Sequence, residues 1–350
     1  MGESIQKLTH IEHVLKRPDS YVGPVDIGSE SYWIFHKTDN QFKKKSVNYS
    51  PALLKIFDEI LVNAIDRNSV HPKSVTSISA GIDKETGSIT IENNGPLGGI
   101  GVRMHEKEGI WNPELTFGHL LTSTNYDDTK KRIVGGRNGY GAKLTNIYSS
   151  EFSIVIKDGE TKQCYTQKWN NNMTVCHPPK ITKHSASTSS VSITFIPDWK
   201  RFGMNKMDAS IYKIFEKRVW DANICTTPNC KVKFQGEALP KTSFEAYAKM
   251  HEGVTDVCSV TTDRWSVCIG PSDNGLEQVS FVNGISTTKG GTHVDHVASY
   301  LAAGIIDEMA KKIKLKPQQV KNTFNIFVKA TLENPTFSSQ VKSECTSKAQ

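Results

Sequence analysis

The sequence predicts an α/β chain folded as two α+β units, and three observations lead there. At 350 residues the chain is long enough for about two domains. Capped amphipathic helices alternate with strand-like segments over its first two thirds. Near the C-terminus a long helix follows one apolar strand and precedes another, the pattern of a β-α-β crossover. Composition agrees, since 37% hydrophobic and 23% charged residues are ordinary for a globular protein.

The N-terminal stretch "MGESIQKLTHIEHVLKRPD" has no apolar core of a signal peptide, and Gln6 stands where an N-myristoylation motif needs Ser or Thr. The strongest helix is "SPALLKIFDEILVNAIDRN", with Ser50 as N-cap and Pro51 at its first position. Leu53, Phe57, Ile60, Leu61 and Ala64 form its apolar stripe. "SVTSISAGI" and "GSITIEN" alternate as a strand pair joined by the turn "DKETG". Strand-like "EFSIVIKDG", "KQCYTQKWN" and "SVSITFIPDW" follow, then a helix over "DASIYKIFEKRVWDANI" capped by Asp208. A second unit is expected to open with the strand "KVKF" and to read β-α-β-β-α-β, with its boundary near residue 235. Its long helix carries Val294, Val297, Leu301, Ile305 and Met309 at helical spacing.

Bulk properties exclude little beyond the membrane. No run approaches the roughly 18 apolar residues that a spanning helix needs. A net charge of +7 permits a polyanionic partner without requiring one. Seven scattered cysteines make a poor zinc site, and free thiols are the expectation.

The chemistry concentrates in "GGRNGYGAK", Gly135 to Lys143, whose glycines suit a backbone that approaches phosphate. Two familiar phosphate loops fail on it. A P-loop would need lysine at Ala142, and a dinucleotide fingerprint would need glycine at Leu144. In the first helix Glu59 and Asn63 lie four residues apart and share a face. A carboxylate there can polarise a water, and a carboxamide oxygen can ligate magnesium. Alone, such a pair is an ordinary surface pattern.

"DEILVNAID", "ENNGP", "TSTNYDD" and "GGRNGYGAK" occur in that order within about ninety residues, and the order resembles the GHKL nucleotide-binding family. "IEHVLKRPDSYVG", "IVGGRNGYGAKLTNIYS", "FVNGISTTKGGTHVDHV" and "LENPTFSSQVK" narrow the resemblance to type IIA DNA topoisomerases of the eukaryotic kind, from about Ile11 to Lys342. The resemblance implies a GHKL (Bergerat) ATPase sandwich at 24–235, a transducer domain with a β-α-β crossover at 236–350, and a dimerisation arm at 1–23. It implies ATP and Mg2+ as cofactors, an ATP-dependent homodimer, double-stranded DNA as partner and the remaining topoisomerase domains elsewhere. A nuclear location follows, with an organelle or a virus-infected cell as alternatives.

The same resemblance assigns roles. Glu59 would be the general base for water attacking the γ-phosphate, and Asn63 the magnesium ligand. Asn94, with Asn93 beside it, would face the adenine. Ser123, Thr124 and Asn125 would hold ribose and α-phosphate. Gly136, Arg137, Asn138, Gly139, Tyr140, Gly141, Ala142 and Lys143 would form a lid over the phosphates. Gln340, Val341 and Lys342 would reach in from the second domain, with Gln340 and Lys342 on the γ-phosphate. Tyr21 would cross to the partner's nucleotide site, and Lys311, Lys312 and Lys314 would face DNA.

Three positions depart from the family's pattern. "NNGPLGGIG" stands where N-N-G-x-G-I-P is usual, Arg67 where asparagine is common, and Val341 where threonine is. "TTKGGTHVDHV" and "ENPTF" speak against a chaperone or repair ATPase, and Glu59 against a binding module that does not hydrolyse. A histidine kinase is disfavoured because His10 and His13 sit in the arm.

Overall fold

Ser50 and Pro51 start the helix on which the first unit is organised. The computed structural model describes residues 5–122, 131–136 and 139–348. Before that helix come α1 (His10–Lys16), closed by a Thr9/Glu12 capping box, and a hairpin of β1 (Gly28–His36) and β2 (Gln41–Tyr49). The helix itself, α2 (Pro51–Val70), has its first turn capped by the Ser50 hydroxyl, which accepts from the Leu53 amide. It is buried on nearly every side. The apolar stripe packs into the core, and Lys55, Asp58, Glu59 and Asp66 are also buried. Buried charges must find partners, and those partners shape the cleft.

β3 (Ser77–Ile82) and β4 (Ile89–Asn94) pair antiparallel, as expected. Two short helices, α3 (Asn112–Gly118) and α4 (Gly141–Ile147), precede β5 (Ser149–Asp158), β6 (Gln163–Asn170), β7 (Val175–Cys176), β8 (Lys180–Lys183) and β9 (Ser190–Pro197). Then come α5 (Ala209–Cys225), whose Asp208 cap accepts from the Ile211 amide at 2.9 Å, β10 (Lys231–Phe234) and β11 (Glu237–Ala238). These strands form one mixed sheet in the order β11-β10-β3-β4-β9-β5-β6-β7, with β8 also paired to β6. Alternate residues of β4, β5 and β9 are buried (Ile91, Ile154 and Ile193 among them), so one face carries the core and α2 runs between α4 and α5.

One sequence expectation is corrected here. "KVKF" does not open the second unit: as β10 it pairs in parallel with β3, and β11 pairs with β10, so the first sheet continues to Ala238. A four-residue strand carries no local mark of a partner some 150 residues earlier.

The second unit begins with α6 (Phe244–Lys249), followed by β12 (Cys258–Thr261), β13 (Trp265–Pro271), β14 (Glu277–Val282), β15 (Ile285–Ser286), α7 (Thr292–Met309), α8 (Pro317–Lys321) and β16 (Phe324–Ala330). Its sheet order is β12-β13-β16-β14-β15, and β14 pairs with β16 in parallel. The connection through α7 and α8 is therefore the expected β-α-β crossover. On α7 the buried positions are His293, Val294, Ala298 and Ala302, while Ile305 is exposed. Small alanines let this helix lie close to β16, which leaves the predicted stripe only partly covered.

The two units share a core. Phe35, Phe42 and Trp220 of the first pack with Phe244, Tyr247, Phe281 and Phe327 of the second. The Phe42 amide donates to the Met250 carbonyl at 2.7 Å, and Glu252 donates back to Phe42 at 2.8 Å. Arg218, buried on α5, donates to Asp58 of α2 at 2.5 Å and to the Gly284 carbonyl at 2.7 Å. One guanidinium thereby ties α2, α5 and the second unit together.

Candidate nucleotide site

Between α2, the end of β4, α4 and a loop of the second unit lies a cleft of about 890 Å³. Glu59, Asn63 and Arg67 line it along α2, Asn93 from β4, and Gly136, Gly139, Tyr140, Gly141, Ala142 and Lys143 from the glycine stretch. Gln340 and Lys342 enter from the second unit. Residues more than 200 positions apart in the chain thus meet in one space.

Glu59 is not a surface acid. Its side chain is buried and ion-paired to Lys55 at 2.5 Å, one turn earlier on α2. Burial alone would raise its pKa, but the charges of Lys55 and Lys342 and the Lys55 hydrogen bond outweigh that, so the carboxyl stays below its usual range and ionised. The other oxygen explains Gly141. A Cβ at that position would lie 2.1 Å from Glu59 Oε2, so only glycine lets the start of α4 close onto the carboxylate.

Asp66 was missed in the sequence. Its two carboxylate oxygens accept from the Gly135 and Gly136 amides at 2.9 and 3.0 Å, fixing the entrance of the glycine stretch to α2. Burial pushes its pKa up to about 7 against these hydrogen bonds. The signal was present, because Glu59, Asn63 and Asp66 follow the i, i+4, i+7 spacing of one helix face.

Lys143 is buried, and its ammonium donates to the Thr122 and Gly139 carbonyls, both at 2.6 Å. Burial lowers its pKa to about 8. Lys342 is also buried and donates to the Gly135 carbonyl at 3.1 Å. Desolvation dominates the lowering of its pKa, opposed by the nearby Glu59 carboxylate.

Two expected contacts are corrected. The Asn94 side chain does not line the cleft: its oxygen accepts from the Thr76 and Ser77 amides at 2.9 Å and its nitrogen donates to the Thr76 hydroxyl, tying the end of β4 to the start of β3. Strand alternation puts Asn93 on the cleft side with Ile91, and Asn94 on the other. Val341 likewise turns away between Gln340 and Lys342, its methyl 3.1 Å from where a Cβ on Gly23 would lie. Replacing threonine there alters the contact with the N-terminal arm and not the cleft wall.

Tyr21 stands just behind the wall. Its ring meets Tyr140 of the same chain edge-on, with centroids 6.0 Å apart, and its hydroxyl is 2.9 Å from His13 Nδ1. Lys311, Lys312 and Lys314 are exposed in the segment between α7 and α8, away from the cleft lining. Ser123, Thr124, Asn125, Arg137 and Asn138 lie outside the described residues.

Comparison with known proteins gives this arrangement its family. The DNA gyrase B family model matches residues 237–350. DNA topoisomerase 2 of Candida glabrata is 42% identical over 100% of this chain, which spans 26% of that protein's length. A crystal structure of the ATPase region of Saccharomyces cerevisiae topoisomerase II superposes with a TM-score of 0.93 at 41% identity, covering 98% of this chain and 90% of that one. The chain belongs to the type II DNA topoisomerase family. The ATPase and transducer domains of topoisomerase II from Balamuthia mandrillaris agree equally well, with a TM-score of 0.93 at 38% identity over 98% of this chain and 89% of theirs. The topoisomerase match covers both units, and the GHKL sandwich is the architecture of the nine-stranded sheet.

Proposed function

We propose that this chain binds and hydrolyses ATP in the cleft, and that ATP binding closes it as a homodimeric, DNA-passing gate of a type II topoisomerase. The observation that carries the reading is the meeting of Glu59, Lys143 and Lys342 around one space, with Lys342 supplied by a different unit from the other two. Buried charged groups with perturbed pKa values converging on one cleft mark it as a site for a charged ligand.

Glu59, kept ionised by Lys55, would accept a proton from the attacking water. Lys143 and Lys342 would stabilise negative charge on the phosphoryl oxygens as it develops. Asp66 would hold the glycine stretch so that its amides face phosphate. The cleft suits magnesium. Asn63 offers one carboxamide oxygen, and no trio of His, Cys, Asp or Glu forms a cage among the described residues. Magnesium keeps most of its ligands as water and phosphate oxygens, so one protein ligand is in character. When bound it would neutralise phosphate charge.

Residues 1–23 would clasp a second copy, with Tyr21 exchanging its own Tyr140 for the partner's site. We read the boundary between ATPase unit and transducer just after Ala238, where the first sheet ends. Lys311, Lys312 and Lys314 would face DNA held between the subunits, and the enzyme would work in the nucleus. The test is ATP turnover by this chain together with its mass in solution, with and without a non-hydrolysable ATP analogue. Turnover and a doubled mass with the analogue are expected. Failure to bind the analogue would overturn the reading.

A further inference from the structure

Two of the positions that depart from the family's pattern touch each other. Arg67 donates through Nη2 to the carbonyl of Pro96, inside the altered "NNGPLGG" loop. A Cβ on Gly98 would lie 3.1 Å from Nη1, 3.3 Å from Nη2 and 3.6 Å from Cζ. Those distances describe an edge-on approach, since a face-on guanidinium would bring Cζ as close as the two nitrogens. Gly98 also has φ +60°, so the loop favours glycine there on both counts. The edge of the guanidinium is spent on the loop, while the side chain still lines the cleft. Among the described residues no carboxylate pairs with it.

Its place along the cleft says what it meets. Glu59, Asn63 and Arg67 succeed one another along α2, and eight residues of helix rise about 12 Å. Lys143, Lys342 and the glycine stretch surround the Glu59 end. The other end is walled by Ile91, Leu97 and Ile100, with the Asn93 carboxamide among these apolar side chains. A triphosphate at the first end puts the base at the second.

We propose that Arg67 is a nucleobase-binding residue, its guanidinium plane forming the surface on which the base stacks. This rests on the ATP reading above. A delocalised planar cation is suited to that contact and lysine is not. Its Nη2 donates to the Pro96 carbonyl rather than into the cleft, and it lies at the end of the cleft away from Lys143 and Lys342, which argues against a phosphate contact.

The test compares the native chain with R67A and R67Q, measuring binding of a non-hydrolysable ATP analogue, ADP, adenosine and inorganic triphosphate. R67A should weaken the first three by one common factor, roughly 3- to 30-fold, the range of a cation–π contact. Inorganic triphosphate binding and kcat at saturating ATP should not change, so the loss appears in KM. R67Q still has an amide to donate to Pro96 but no cationic plane, and should bind as weakly as R67A. Native-like affinity in R67Q would mean that the residue only supports the loop and would overturn the proposal. So would unchanged affinities in R67A, or a loss for triphosphate as large as that for adenosine. If the native chain binds neither analogue nor ADP, the ATP reading falls first and this one with it.

Discussion

The two ends of the cleft are made in different ways. At the end around Glu59 every charged group is buried and held: Glu59 by Lys55, Asp66 by two glycine amides, Lys143 by two carbonyls and Lys342 by Gly135. These groups come from α2, the glycine stretch and the second unit, so no one of them can change without disturbing the others. At the end around Asn93 the wall is a local loop, and Arg67 leans on it from half-exposed ground. Two of the three departures from the family's pattern lie there, and the third, Val341, turns away from the cleft. An end assembled from three distant stretches resists substitution, whereas a local loop can be rebuilt with one helix residue as its prop.

That contrast breaks or sharpens at four places. The largest effect should come from Glu59→Gln, which keeps the shape and removes the base. ATP hydrolysis should fall roughly 10²–10⁴-fold while ATP binding persists. A variant that turns over normally would reduce Glu59 to a buried partner of Lys55 and dissolve the distinction between the ends.

Lys342→Ala comes next, with hydrolysis lower by roughly 10²–10³-fold, the loss expected for one charge stabiliser. ADP affinity should barely move, because ADP lacks the phosphate that Lys342 would touch. Equal weakening of ADP and ATP-analogue binding would show that Lys342 acts through the packing of the two units instead.

At the other end, Asn93→Ala should weaken ATP-analogue binding by roughly 5- to 100-fold, the cost of a buried hydrogen-bonding group. Asn94→Ala should do the reverse, lowering stability by about 1–2 kcal/mol through loss of the Thr76 and Ser77 bonds, with affinity unchanged. Paired calorimetric melts and binding titrations decide between them. An affinity loss at Asn94 would restore the original expectation.

The smallest effect is in pH. Lys143 titrates at about 8, and phosphate favours its protonated form, so binding takes up a proton. Affinity for the ATP analogue should be level below pH 7 and fall about threefold between pH 7.5 and 8.5. Lys143→Arg stays charged and should flatten that fall. A decline that survives the substitution would belong to another group.

Much of this was legible beforehand, for physical reasons that can be named. Ser50 and Asp208 announce their helices because a cap is a local hydrogen bond, and both caps form. Strands β3 to β6 and β9 could be read because one face is covered and their burial alternates. What escaped was set by distant partners. "KVKF" joins β3 because an open edge awaits it, and nothing in four residues says so. Asn93 and Asn94 are neighbours in a motif and look alike until the strand's parity is known. Asp66 is hidden because an amphipathic pattern implies a wet side, whereas α2 is enclosed on nearly every side.

The late strands β10 and β11 have a consequence for anyone who cuts the gene. Ser77 to Ile82 form a strand whose outer edge is covered by residues 231–234 along Ser77–Ala80 and by the Gln235 side chain at Ile82, with 231–234 covered in turn by 237–238. A shortened protein ending at 230 would bare a row of unpaired amides and carbonyls beside Ile78 and Ile82, a template for sticking to other chains. Ribosomes meet the same problem, since that edge emerges about 150 residues before its cover. A boundary at 230 should aggregate more than one after Ala238, which keeps this edge covered although it still bares the core that Phe35, Phe42 and Trp220 share with the second unit.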